Sequence, residues 1–116
     1  MGKLTTHVLD TAHGRPAAGV AIELFRAGAV RVPLGRFLTN ADGRCDAPLL
    51  QDDALAAGVY ELDFHVGSYF AALGVAVAQP RFIDVVTLRF GIGDATAHYH
   101  VPLLASPYSY STYRGS

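Results

Sequence analysis

Histidine is the side chain whose ordinary pKa, about 6.5, lets it both accept and donate a proton near neutral pH. The 116-residue chain carries five histidines. Two of them, His98 and His100, lie on a run from Ala97 to Leu104 that reads as a β-strand. Side chains two apart on a strand share a face, at a separation of about 7 Å. His7 occupies another strand-like run, Leu4 to Asp10. Three imidazoles brought together make either a metal site or a proton-transfer site, although the sequence alone does not place His7 beside the other two. Zinc asks for three or four ligands, and Cys45 is far from these histidines in sequence and has no CxxC partner, so the pattern favours a site without metal. An HxH pair in isolation is a weak signal and reads first as half-exposed strand residues hydrogen-bonded to neighbours.

Arg44 follows the turn Asn40-Ala41-Asp42-Gly43 directly. A five-donor, permanently charged group held beside a bend can clamp a planar anion; the plainer reading is a solvated arginine at a strand start, as for Arg15 and Arg36. The C-terminal stretch Ser109-Tyr110-Ser111-Thr112-Tyr113-Arg114-Gly115-Ser116 is rich in hydroxyls and aromatics where most domains fray. It reads either as a docked segment or as a polar edge strand with a loose end. The chain has no GxSxG elbow, no GxGxxG and no phosphate loop, and nothing near Cys45 would activate its thiol. If the protein is an enzyme, a histidine-activated water is the chemistry that remains.

The elements that must position these residues are strands. Turn signals recur at His13-Gly14-Arg15-Pro16, Asn40 to Gly43, Gly58, Gly67, Gly74, Gln79-Pro80, Gly91 to Asp94 and Ser106-Pro107, a spacing that suits an all-β sandwich or barrel. Between them run period-two apolar sets: Val20, Ile22 and Leu24; Tyr60, Leu62, Phe64 and Val66; Val86, Leu88 and Phe90. The alternating Glu23, Glu61, Asp63 and Arg89 predict one face turned to water. Ser68 before Tyr69 to Leu73, with Gly74 after, predicts one short helix capped at both ends. Residues 52–58 are too short to hold a helix alone and read as loop or a frayed turn. The expected architecture is a single domain over residues 1–116, a two-sheet β-sandwich of seven to eight strands with one short helix.

Composition narrows the function classes. Half of the residues (51%) are apolar, enough for a core without staples, and the single Cys45 cannot form an internal disulfide. Nine scattered basic residues against ten acidic ones leave no footprint for nucleic acid. No export signal and no window of about 20 apolar residues are found, which predicts a cytoplasmic protein without a membrane span. Gly2 with Thr6 fits the permissive myristoylation pattern, a match set aside as chance.

Three blocks together resemble the 5-hydroxyisourate hydrolases, the transthyretin-related enzyme family: LTTHVLDTAHGRPAAG over Leu4 to Gly19, NADGR over Asn40 to Arg44, and HYHVPLLASPYSYSTYRGS over His98 to Ser116. The terminal YRGS separates that enzyme family from the hormone-carrying transthyretins. YELDFHVGSYFAALG, Tyr60 to Gly74, is similar to the family's strand and short helix, whereas Gly28 to Phe37 departs from the pattern. The resemblance implies a transthyretin-like fold of two four-stranded sheets and a homotetramer, a dimer of dimers, with active sites in a channel at the dimer interface. It implies a purine-derived substrate and no cofactor. His7, Arg44 and His100 are its implied catalytic residues, and His7, Arg44, Tyr113, Arg114, Gly115 and Ser116 would line the substrate site, with His98 adjacent. A terminus used in this way predicts that extension beyond Ser116 impairs activity. The alternative is a carrier that binds a small ligand in the same channel, which calls for an apolar lining in place of His7, Arg44 and His100.

Overall fold

The computed structural model describes residues 2–115, so the expectation for Ser116 lies outside the described residues. The alternating runs become strands β1 (Lys3–Asp10), β2 (Arg15–Pro16), β3 (Ala21–Arg26), β4 (Val32–Leu38), β5 (Leu50–Gln51), β6 (Gly58–Phe64), β7 (Val86–Ile92), β8 (His98–Ala105) and β9 (Tyr110–Thr112). One sheet has the order β2-β1-β8-β9, with β5 also on β1; the other has the order β4-β3-β6-β7. The two-residue β2 and β5 are additions at the flank of β1, and the seven longer strands form the expected sandwich. β1 and β8 run parallel, Lys3 beside His98, Thr5 beside His100 and Asp10 beside Ala105, while the other pairings among the described residues are antiparallel.

The two sheets close on one apolar core. Leu4 and Val8 of β1, Ile22 and Leu24 of β3, Tyr60, Leu62 and Phe64 of β6, Val86 and Leu88 of β7, and Leu103 of β8 are all buried in it. Burying each such side chain stabilises the fold by about 1.5–3 kcal/mol. Thr6 shares that inner face because its hydroxyl donates to the Val101 carbonyl at 2.7 Å. Period two then forces Lys3, Thr5 and His7 to the opposite face of β1. On the outer face of the second sheet Asp63 is more buried than its alternation predicts, held by Arg31 Nη2 at 2.8 Å and Thr87 Oγ1 at 2.7 Å. The atypical segment 28–37 contains most of the edge strand β4; the register shifts opposite Leu24 and Phe25, and Pro33 sits where no inner ladder is interrupted.

The helix differs from expectation. Helix α1 spans Val66–Ala72, so Ser68 lies inside it and His65 is its N-cap. No side chain caps it; instead Gly67 N donates to the Asp84 carbonyl at 2.8 Å from the following loop. A tertiary partner therefore satisfies a first-turn N–H that a local serine was expected to satisfy. Val66, expected to continue β6, is buried as the first residue of the helix. The C-terminal signal reads correctly, with Gly74 at φ 78° just past the C-cap Leu73. Residues 52–54 form one turn of 3-10 helix. No helix among the described residues is long and apolar enough to cross a membrane.

Candidate functional site

The parallel register of β1 and β8 joins the two histidine-bearing runs. His7 and His100 face one another with ring centroids 6.5 Å apart and planes tilted by 42°. His98 and His100 line one open cleft of about 350 Å³ together with Lys3, Thr5 and Arg44, at the lower end of the size range of small-ligand pockets. Thr5 Oγ1 and His100 Nδ1 share a hydrogen bond of 2.8 Å.

Arg44 reaches this place through its turn. Asn40 Oδ1 accepts from Asp42 N at 2.9 Å and Arg44 N at 3.2 Å, and Asn40 N donates to the Arg44 carbonyl at 2.7 Å. Gly43, at φ 75°, lets the turn pass so close to β1 that a Cβ there would stand 2.4 Å from the Val8 carbonyl oxygen. Val8 N donates to the Gly43 carbonyl at 2.8 Å, which pairs Arg44 with His7 as a short antiparallel bridge. The arginine at the strand start is thus built against the imidazole pair.

The tail docks on the same strand. Gly115 N donates to the His100 carbonyl at 2.7 Å, and His100 N donates back to the Gly115 carbonyl at 3.3 Å. A Cβ at position 115 would lie 3.0 Å from His100 Cδ2, so the glycine lets the tail lie flat against the imidazole. Arg114 Nη2 donates to the His98 carbonyl at 3.1 Å, and its guanidinium lies 4.5 Å from the centroid of the Tyr99 ring. Tyr113 and Arg114 line a neighbouring groove of about 340 Å³ with Leu88, Phe90, Tyr99 and Val101, not the cleft of His98 and His100. One chain therefore brings together His7, Arg44, His98, His100 and the Gly115 backbone, and sets Tyr113 and Arg114 to one side.

Burial lowers the pKa of His7 below the usual imidazole value, and the Arg44 guanidinium lowers it further against an opposing influence of Asp42. His100 is lowered by burial, by Arg44 and by His7 itself. Both rings are thus held as neutral bases at neutral pH, and protonating one opposes protonating the other. The cleft holds two cations, Lys3 and Arg44, and among the described residues no carboxylate lines it. Such a site can take a proton from water and stabilise negative charge that develops on a bound oxygen. Among the described residues no group of three or more His, Cys, Asp and Glu is arranged to hold a metal ion.

Sequence reasoning missed Lys3 and Thr5. Their alternation with His7 on one strand was a signal that they share its face, but nothing local told that Thr5 would stand level with His100.

The geometry has close counterparts. The HIUase/Transthyretin family model matches residues 4–115. The 5-hydroxyisourate hydrolase of Ralstonia nicotianae is 63% identical, over the whole of both chains. The crystal structure of (S)-allantoin synthase superposes with a TM-score of 0.95 at 46% identity; the match takes in 99% of this chain but 44% of that longer one. The structure of the Klebsiella pneumoniae 5-hydroxyisourate hydrolase superposes over the full length of both chains, with a TM-score of 0.83 and 38% identity. With a match that runs from Leu4 to Gly115 and takes in His7, Arg44, His98 and His100, this chain belongs to the HIUase/Transthyretin family.

Proposed function

We propose that this chain hydrolyses 5-hydroxyisourate to 2-oxo-4-hydroxy-4-carboxy-5-ureidoimidazoline, a step of urate breakdown, by attack of a histidine-activated water on the lactam of the six-membered ring. The observation that carries this reading is the pair His7 and His100, 6.5 Å apart and both lowered in pKa beside Arg44. One imidazole takes a proton from water as its oxygen bonds to the lactam carbonyl carbon. Arg44 stabilises the charge that grows on the carbonyl oxygen. The carbon–nitrogen bond then breaks, and an imidazolium returns its proton to the departing nitrogen. The full-length identity to a 5-hydroxyisourate hydrolase supports the substrate. The charged, imidazole-lined cleft favours hydrolysis over a carrier, whose channel would be apolar.

The proposal includes a homotetramer: Tyr113 and Arg114, which line the neighbouring groove of their own chain, would reach substrate across the assembly, where Tyr113 holds it by a hydrogen bond and Arg114, Gly115 and Ser116 complete the lining. The exposed Tyr108, Tyr110 and Tyr113, at 58%, 49% and 62%, support an assembled surface there. Light scattering should then return four times the 12.3 kDa of the chain. A cytoplasmic setting fits the lone, half-buried Cys45 thiol, which makes no disulfide. The deciding assay generates 5-hydroxyisourate in situ from urate with urate oxidase and follows the decay of its near-ultraviolet absorbance. Decay faster than the spontaneous rate supports the hydrolase; decay equal to the blank would leave the carrier.

A further inference from the structure

We propose that Thr5 is a positioning residue that fixes the tautomer of His100, keeping its proton on Nδ1 and presenting the Nε2 lone pair to the cleft as the water-activating base. The inference rests on the hydrolytic reading above and deepens it, because it names which imidazole is the base.

A neutral imidazole carries one proton on either nitrogen, and the hydrogen bond made by one nitrogen sets the state of the other. Thr5 stands directly beside His100 in the β1–β8 register, and its Oγ1 lies 2.8 Å from Nδ1. A threonine side chain is stiff at χ1, so the hydroxyl is held where it is. From the neighbouring strand position, the Gly115 backbone brackets His100. The ring is therefore fixed with Nδ1 on Thr5, and Nε2, on the far side of the ring, has no hydrogen-bond partner among the described residues.

A hydroxyl can donate or accept, so the Thr5 contact alone does not choose the tautomer. The cleft does. Lys3 and Arg44 line it as cations, and among the described residues no carboxylate lines it with them. An Nε2–H would point the positive end of its dipole into that field, whereas an Nε2 lone pair points its negative end there. The favoured arrangement has Nδ1–H donating to Thr5 Oγ1. His7 differs, because its ring neighbours are Arg44 and Asp42 and no threonine hydroxyl bonds it.

The test reads the tautomer in unliganded protein by long-range 1H–15N spectra of the 15N-labelled histidines, comparing wild type, Thr5→Val and Thr5→Ser. His100 should be the Nδ1–H form in wild type and in Thr5→Ser, and a mixture in Thr5→Val. Loss of one neutral hydrogen bond should lower kcat of Thr5→Val roughly three- to tenfold, with KM changed less than about twofold, and Thr5→Ser should restore it. The acid limb of kcat/KM should move to lower pH in Thr5→Val, since the imidazolium loses an acceptor; a threonine that only packs would leave that limb in place. An Nε2–H form in wild type overturns the proposal, as does a Thr5→Val protein with unchanged spectrum and pH profile. A wild type that does not hydrolyse 5-hydroxyisourate would defeat the functional reading instead, while the spectrum would still decide the tautomer.

Discussion

Near the C-terminal end of β1, His13 Nδ1 lies 2.6 Å from Oδ2 of Asp10, whose side chain is fully buried, and the Tyr69 hydroxyl donates to the same oxygen at 2.8 Å. At His7, earlier on the same strand, the neighbours are the Arg44 bridge and the ring of His100. Burial works to raise the Asp10 carboxyl, but hydrogen bonds from Tyr69 and His13 outweigh it and hold the group below its usual value. At the other site burial and Arg44 act together to hold both imidazoles below theirs. A histidine beside an anion thus joins β1, the turn after it and helix α1, whereas a histidine beside a cation keeps a lone pair to spend on chemistry. His65 on Glu23, at 2.8 Å, follows the first pattern. Histidine count is therefore a poor guide to a site; the sign of the nearest charge separates the two kinds.

This contrast breaks most sharply at His100. His100→Asn should lower turnover by roughly 10² to 10⁴-fold while the circular dichroism melt stays within a few degrees of wild type, and a loss under about threefold would remove it as the base. Arg44→Gln should cost roughly 10²- to 10³-fold in kcat through the lost charge stabilisation. Because Arg44 lowers both imidazoles, its removal lets both rise toward about 6.5, so the acid limb of kcat/KM should move to higher pH; a limb that stays put would mean that Arg44 does not set the pair.

At the other end the expected loss is of stability. Asp10→Ala leaves the Tyr69 hydroxyl and the His13 N–H without their acceptor, and urea unfolding should report a loss of about 3 kcal/mol, with kcat of the folded fraction within about threefold of wild type. The folded pKa of Asp10 is depressed, so its contribution is complete above the unfolded value of about 3.9 and disappears as pH falls through the folded one. The gap between wild type and variant should accordingly narrow on acidification below about pH 4, and a gap that widens would contradict the ionised carboxylate. The smallest effect is expected at the tail: Gly115→Ala presses a methyl to 3.0 Å from His100 Cδ2 and should lower kcat by roughly fivefold, read in the same decay assay, without lowering the melting temperature by more than a few degrees.

Much of this architecture is local and could be read directly. Alternation of Leu4, Thr6 and Val8 with Lys3, Thr5 and His7 separates a buried face from a more open one, because strand geometry has a period of two whatever the partner. The Asn40 to Gly43 turn before Arg44 and the glycine after α1 were legible for the same reason: a left-handed residue is a property of a few consecutive positions. The start of α1 was not, since Gly67 finds its acceptor at Asp84, at the far end of the loop that follows the helix. Sequence by itself thus determined the longer strands of the core and their faces, the turn that carries Arg44 and the identity of the histidines, while the two-residue β2 and β5 escaped it. Tertiary structure alone decided that Thr5 lies level with His100 across 95 positions of chain, that Arg44 sits on His7, and that Tyr113 and Arg114 turn into another groove. Register between strands far apart in sequence is set by how two sheets bury one core, and no single segment contains that information.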